Sequence, residues 1–213
     1  MTASPIAYII FNRPRHTRET FAVIRAQRPP KLFIIADGPR PGHPTDLDNC
    51  RLVREIVEQI DWPCEVHRNF AERNLGCMRR VSSGLDWVFG LVDRAIIIED
   101  DCVPNPDFFV FCDALLDKYE NDPRVWVVTG NNFQDGRRRG DASYYFSKYN
   151  HCWGWATWRR AWEHYKVDMP YWSEWKHSAD WRRKTPDPIE RSVWSAIFDR
   201  MHRGEIDTWD YQW

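Results

Sequence analysis

The stretch "AIIIEDDCVPNPDFFVF", residues 95 to 111, sets a short β-branched run directly against three consecutive carboxylates, Glu99, Asp100 and Asp101. Ala95 to Ile98 are too few and too branched to read as a helix face, so they predict a strand buried on both sides. Four residues after the acids, Asn105 can cap a helix whose first position is Pro106, where the missing N–H costs nothing. A strand, a loop and a helix in that order are one unit of an α/β fold. Adjacent like charges repel unless something positive sits among them. Solvent, arginines and a metal ion are the candidates.

Working outward, the same alternation recurs. IAYIIF (6–11), KLFIIAD (31–37), CEVHRN (64–69), AIIIED (95–100) and VWVVTG (125–130) predict strands. Between them, Leu52/Val53, Ile56/Val57 and Ile60 repeat at helical spacing, as do Met78, Val81, Leu85 and Val88, then Phe108, Cys112, Leu115/Leu116 and Tyr119. The expectation is one α/β domain over residues 1–213, with a mostly parallel central sheet flanked by helices. In such sheets ligands bind outside the carboxyl ends of the strands. Asn12-Arg13-Pro14, Asp37-Gly38-Pro39 and Glu99-Asp100-Asp101 fall there, as does Arg73-Asn74-Leu75-Gly76, whose glycine permits close backbone approach to a ligand. Neither G-x-G-x-x-G nor G-x-x-x-x-G-K-[ST] occurs, which excludes the dinucleotide and P-loop fingerprints.

A formal charge of −1 removes the general electrostatic case for nucleic acid or an anionic membrane. Arg137, Arg138 and Arg139 read as a solvated loop. The amino terminus lacks the pattern of a signal peptide or an integral membrane segment, so a cytoplasmic protein is expected. Six cysteines without a C-x-x-C pair, and seven histidines without ligand spacing, give no support for zinc.

Ten of the 13 tryptophans lie between Trp153 and Trp213. Most suit core or sheet cover. One or two can line a saccharide cleft, where a flat indole matches the apolar face of a sugar; Trp153, Gly154 and Trp155 are the candidates. Val193/Trp194, Ile197/Phe198 and Met201 mark a helix ending at Gly204, and residues 176–189 read as an exposed loop. The ending on Trp213 without a polar tail reads as a truncation.

Carboxylate oxygens are hard ligands, so an ion at the acidic run would be Mg²⁺ or Mn²⁺, which take one or two carboxylates plus substrate phosphates. The other reading is ordinary turn and cap residues paired with arginines of nearby loops. Spacing leaves both open.

IIIEDDCVPNPDFFVF (96–111), DPRVWVVTGNN (122–132) and HCWGWATWRRAW (151–162), with FNRP and IIADG near the amino terminus, together resemble N-acetylglucosaminyltransferase I and its bacterial relatives. These are inverting glycosyltransferases of the GT-A fold that use nucleotide-sugar donors. The resemblance implies that Asp101 contacts Mn²⁺, that Glu99 and Asp100 lie near the sugar and ribose, and that Arg13 and Asp37 hold the nucleotide, Asp37 at the uracil edge of a UDP-sugar. The chain then divides into a nucleotide-sugar-binding half over 1–130, where Asn12, Arg73, Asn74 and Gly76 fall at the donor by their place after the strands, and an acceptor-side half over 131–213 for a glycan or polysaccharide. The family's base is a carboxylate in a W-D-D-W-like segment. Here Trp209-Asp210-Tyr211-Gln212-Trp213 offers Asp210, with Tyr211 in place of the second acid. Sugar nucleotidyl transfer and a non-enzymatic saccharide-binding module are the alternative functions.

Overall fold

A computed structural model describes residues 1–138 and 140–213; Arg139 of the basic run lies outside the described residues. Six strands form one sheet in the order β3-β2-β1-β4-β6-β5. They are β1 (Ile6–Ile10), β2 (Lys31–Ala36), β3 (Glu65–Phe70), β4 (Arg94–Glu99), β5 (Val127–Thr129) and β6 (Trp155–Trp158). The first four are parallel, and β6 runs antiparallel to both β4 and β5. The α/β architecture with a mostly parallel sheet is as the sequence predicts.

Strands β1, β2 and β4 read as apolar runs because both faces of the sheet are covered there, whereas the edge strand β3 is mostly polar. Side chains alternate across the pleat. Ile6, Tyr8 and Ile10 of β1 join one core with Ile34, Ile98 and Phe109, under α1 (Pro14–Gln27), α2 (Asp46–Val57) and α4 (Pro106–Lys118). Ala7 and Ile9 join the other with Ile35, Ile97, Leu85 and Trp155, on the side of α3 (Cys77–Phe89). Asn105 caps α4 as expected, its side chain accepting from Asp107 N at 3.0 Å.

Three elements depart from the sequence reading. Helix α1 was not marked by periodicity, because its buried face includes Thr17, Thr20 and Gln27 beside Phe21 and Ile24. Strand β5 begins two residues late, since Val125 N closes a turn onto Asp122 O. Residues 176–189 are not simply an exposed loop. After the short helices α5 (Arg159–Trp162) and α6 (Trp172–Trp175), helix α7 (Ala179–Lys184) starts there because Ser178 Oγ accepts from Trp181 N, and buried Trp181 packs edge-on against Trp172. With Met169 and Met201, the latter on α8 (Pro188–His202), these rings form a third, smaller core.

Sheet order fixes where a site belongs. From β1 the chain proceeds to β2 and β3 on one side, then returns to place β4 on the other. The crevice between β1 and β4 is therefore the topological switch point, where adjacent crossovers diverge and leave room for a ligand. The register Ile9↔Glu99 brings the carboxyl ends of these strands level.

Candidate functional site

At that switch point β1 ends in Asn12-Arg13 and β4 ends in Glu99, with Asp100 and Asp101 in the turn that follows. Arg13 spans the gap. Its guanidinium pairs with Asp100 and, at 2.9 Å, with Asp101. Asp100 is buried and fixed: its carboxylate also accepts from Phe11 N at 3.4 Å, and its carbonyl accepts from Thr20 Oγ1 at 2.8 Å. Arg13 and Asp101 are each 43% exposed in their side chains. The crowding is thus relieved, in this structure, by an arginine from a neighbouring loop, as the second sequence reading has it.

Electrostatics separates the three acids. Burial, reinforced by the charges of Asp101 and Asp100, pushes Glu99 up to about 7, against the opposing pull of Arg13 and a hydrogen bond to Trp209. Burial also raises Asp100, with Arg13 opposing it. For Arg13, burial favours the neutral form, but Asp100 and Asp101 outweigh it and the guanidinium titrates above its ordinary range. Glu99 is a group that can hold a proton near neutrality beside two that are tied to a cation.

The carboxyl-terminal segment reaches the same place. Trp209 stacks on Trp155 at 5.3 Å between ring centres, and Tyr165 donates to Trp209 O at 2.9 Å. The next residue, Asp210, accepts from Thr208 Oγ1 and lies 3.9 Å from Cys152 Sγ. Burial and then the charges of both Glu99 and Asp210 push Cys152 up to about 12, and Cys77 likewise senses Glu99 and Asp210. Asp210, 109 positions from Asp101 in the chain, therefore shares the environment of the β4 end.

Other residues expected here have different employment. Asp37 is 5% exposed, and its oxygens accept from Gly38 N at 2.8 Å, Leu75 N at 2.9 Å and Asn74 Nδ2 at 2.9 Å. Asp37 and Asn74 knot the end of β2 to the loop before α3 and offer little to a nucleotide base. Gly38 belongs to the knot: a Cβ there would lie 2.4 Å from Arg73 C. Asn12 donates to Asp46 at 2.7 Å, a buried carboxylate that also takes Arg40. Gly76, at φ +80°, makes room for Asp207, whose carboxylate accepts from Cys77 N and Met78 N at the start of α3. The missing side chain thus admits part of this chain's own carboxyl-terminal segment. Arg73 remains exposed at the rim.

Sequence reasoning missed Asp207 and Asp46. Both are caps or knots whose partners are far away in the chain, and nothing local marks them. The tryptophans divide as well. Trp155 is fully buried and is core, whereas Trp153 is 60% exposed. With Gly154, Trp153 lines a cavity of about 1500 Å³ that begins at Asp101 and the carboxyl end of β5 and follows α4.

Hard oxygen donors suit Mn²⁺ or Mg²⁺. Among the described residues, however, no three His, Cys, Asp or Glu side chains gather into a cage. A half-exposed Asp101 fits only an ion whose remaining ligands come from substrate and water. No helix among the described residues is long and apolar enough to cross a membrane.

No known protein family's sequence profile matches the chain, and no curated protein matches it in sequence. Among solved structures, that of 4-diphosphocytidyl-2C-methyl-D-erythritol synthase from Anaerococcus prevotii is similar, with 10% identity over 92% of this chain and 84% of that one and a TM-score of 0.44. At that distance the reading of function stands on the site itself.

Proposed function

We propose that this chain is a nucleotide-dependent transferase of the GT-A type, moving a sugar from a nucleotide-diphosphate donor, a UDP-sugar in the leading case, to a glycan hydroxyl with inversion. The observation that carries the reading is the convergence of Arg13, Glu99, Asp101 and Asp210 at the β1/β4 switch point. Inverting transfer needs a proton acceptor on one side of the anomeric carbon and countercharge for the departing diphosphate on the other. Asp210 takes the proton of the acceptor hydroxyl as its oxygen attacks. The bond from the anomeric carbon to the diphosphate breaks, and the diphosphate leaves with the electron pair.

Arg13 is half exposed and held by carboxylates, so it can exchange one of them for a phosphate oxygen while staying paired. Asp101 would then hold Mn²⁺ or Mg²⁺. Such an ion neutralises charge developing on the diphosphate. Glu99, poised between its two protonation states, can donate to or accept from a sugar hydroxyl.

Nucleotidyl transfer is the second reading, the class to which the name of the Anaerococcus enzyme points. The carboxylates and Arg13 would serve it too, but Asp210 would have no acceptor hydroxyl to deprotonate. Product analysis separates the two. Incubation with Mn²⁺, UDP-sugars and acceptor glycans is expected to release UDP, and Asp210→Asn is expected to lower turnover by at least about 100-fold while sparing donor binding. Pyrophosphate from a nucleoside triphosphate and a sugar phosphate, without UDP release, would overturn glycosyl transfer.

A further inference from the structure

From the cavity beside α4, and resting on the transferase reading, we propose that the acceptor is an acidic saccharide, one bearing carboxylates or phosphates along its chain. The cavity starts at Asp101, where the donor's reacting end would lie, and runs outward between α4 and residues 131–138 and 142–154. Its wall combines two chemistries. Trp153 is exposed, and Tyr145 and Phe146 are exposed further along. Exposed rings on a concave surface are platforms for the apolar faces of sugars.

Charge is the second feature. Among the described residues, five cationic side chains line the cavity against two carboxylates, Asp101 and Asp107. Arg124 is satisfied by Asp122 at 2.7 Å and Lys148 by Glu190 at 2.5 Å. Arg137, Arg138 and Lys184 have no carboxylate within salt-bridge distance among the described residues. Arg138 donates only to backbone carbonyls, those of Gly140 and Asp141. These three come from two separated places, residues 137–138 and the end of α7 (Ala179–Lys184), yet line one cavity.

Among the described residues, some exposed bases elsewhere are paired and others, such as Arg18, Arg28 and Arg73, are not, so what sets these three apart is that they gather on one concave surface. Cations left unpaired around a ring-lined groove are complementary to an anionic ligand. Guanidinium groups match carboxylate and phosphate forks in particular. A neutral glycan would use the rings and leave the charges idle.

The test is calorimetric titration of the whole chain, without donor, using a hexa-uronate oligosaccharide, a phosphate-bearing glycan fragment and a neutral hexasaccharide. The acidic ligands are expected to bind at least tenfold more tightly than the neutral one, with an advantage that shrinks as salt rises. Whichever acidic ligand binds more tightly identifies the source of the charge. Arg137→Glu and Lys184→Glu are each expected to weaken acidic binding by about tenfold at unchanged melting temperature. Equal affinity for the neutral ligand, no binding by any of the three, or indifference to both charge reversals would overturn the proposal. A parallel titration with UDP and Mn²⁺ keeps the two readings apart: acidic binding without UDP binding refutes the transferase and leaves the acidic-glycan cavity standing.

Discussion

The ends of β2 and β4 both carry a buried aspartate beside β1, and they solve the same problem in opposite ways. Asp37 has its oxygens engaged by three internal donors, two of them backbone N–H groups, which are part of the fold and cannot leave. Asp100 and Asp101 share one half-exposed arginine side chain, which can, and only Asp100 has a backbone donor besides, Phe11 N at 3.4 Å. A carboxylate satisfied by backbone is architecture; one satisfied by a half-exposed side-chain cation can exchange that partner for a ligand. That contrast is why the β4 end, and not the β2 end, is taken as the centre of the candidate site.

The largest expected effect breaks the β2 side. Asp37→Ala strands donors of Gly38, Asn74 and Leu75 and is expected to cost about 3 kcal/mol in urea-monitored unfolding. A loss under about 1 kcal/mol would mean that the knot is dispensable and that Asp37 is free for a nucleotide. Arg13→Ala should cost less, about 1.5 kcal/mol near neutral pH, because the arginine is half exposed while Asp100 is not. The deficit should shrink in acid as Asp100 takes up a proton, since burial already raises its pKa. A deficit that grows on acidification would contradict the pairing.

Glu99→Gln sharpens the comparison further. A carboxyl group raised from its ordinary value of 4.5 to about 7 binds more protons folded than unfolded between those values, so its contribution to stability falls as pH rises through that window. The glutamine variant is therefore expected to melt about 3 °C above the parent at pH 8 and level with it near pH 4. A difference that does not vary with pH would show that Glu99 is not strained by its neighbours.

How far the sequence carries depends on the range of the interactions. Strands β1, β2 and β4 and helices α3 and α4 are legible because a two-sided sheet imposes local apolar runs and helical periodicity, and Asn105 caps within three residues of where it stands. Helix α1 is illegible to a hydrophobic count because Thr17 and Thr20 do the packing. At the site, the acidic run and Arg13 are visible as exposed strand-end chemistry, and the pairing of Arg13 with the acids was one of the readings that spacing allows. The reassignments all come from contacts distant in sequence: Asn12 with Asp46, Asp37 with the 74–75 loop, Gly76 with Asp207, and Trp155 with Trp209. A residue's type announces what it can bind; only the fold decides what has already claimed it.

We propose that Asp101 can exchange Arg13 for Mn²⁺ or Mg²⁺ when a nucleotide diphosphate binds. Calorimetric titration of UDP into the chain with and without Mn²⁺, repeated on Asp101→Asn, tests it most directly. The account predicts binding that requires the ion and is lost in the variant, while urea unfolding of the two proteins agrees within about 0.5 kcal/mol. Binding that ignores the ion, persists undiminished in the variant, or is absent from the parent would contradict it.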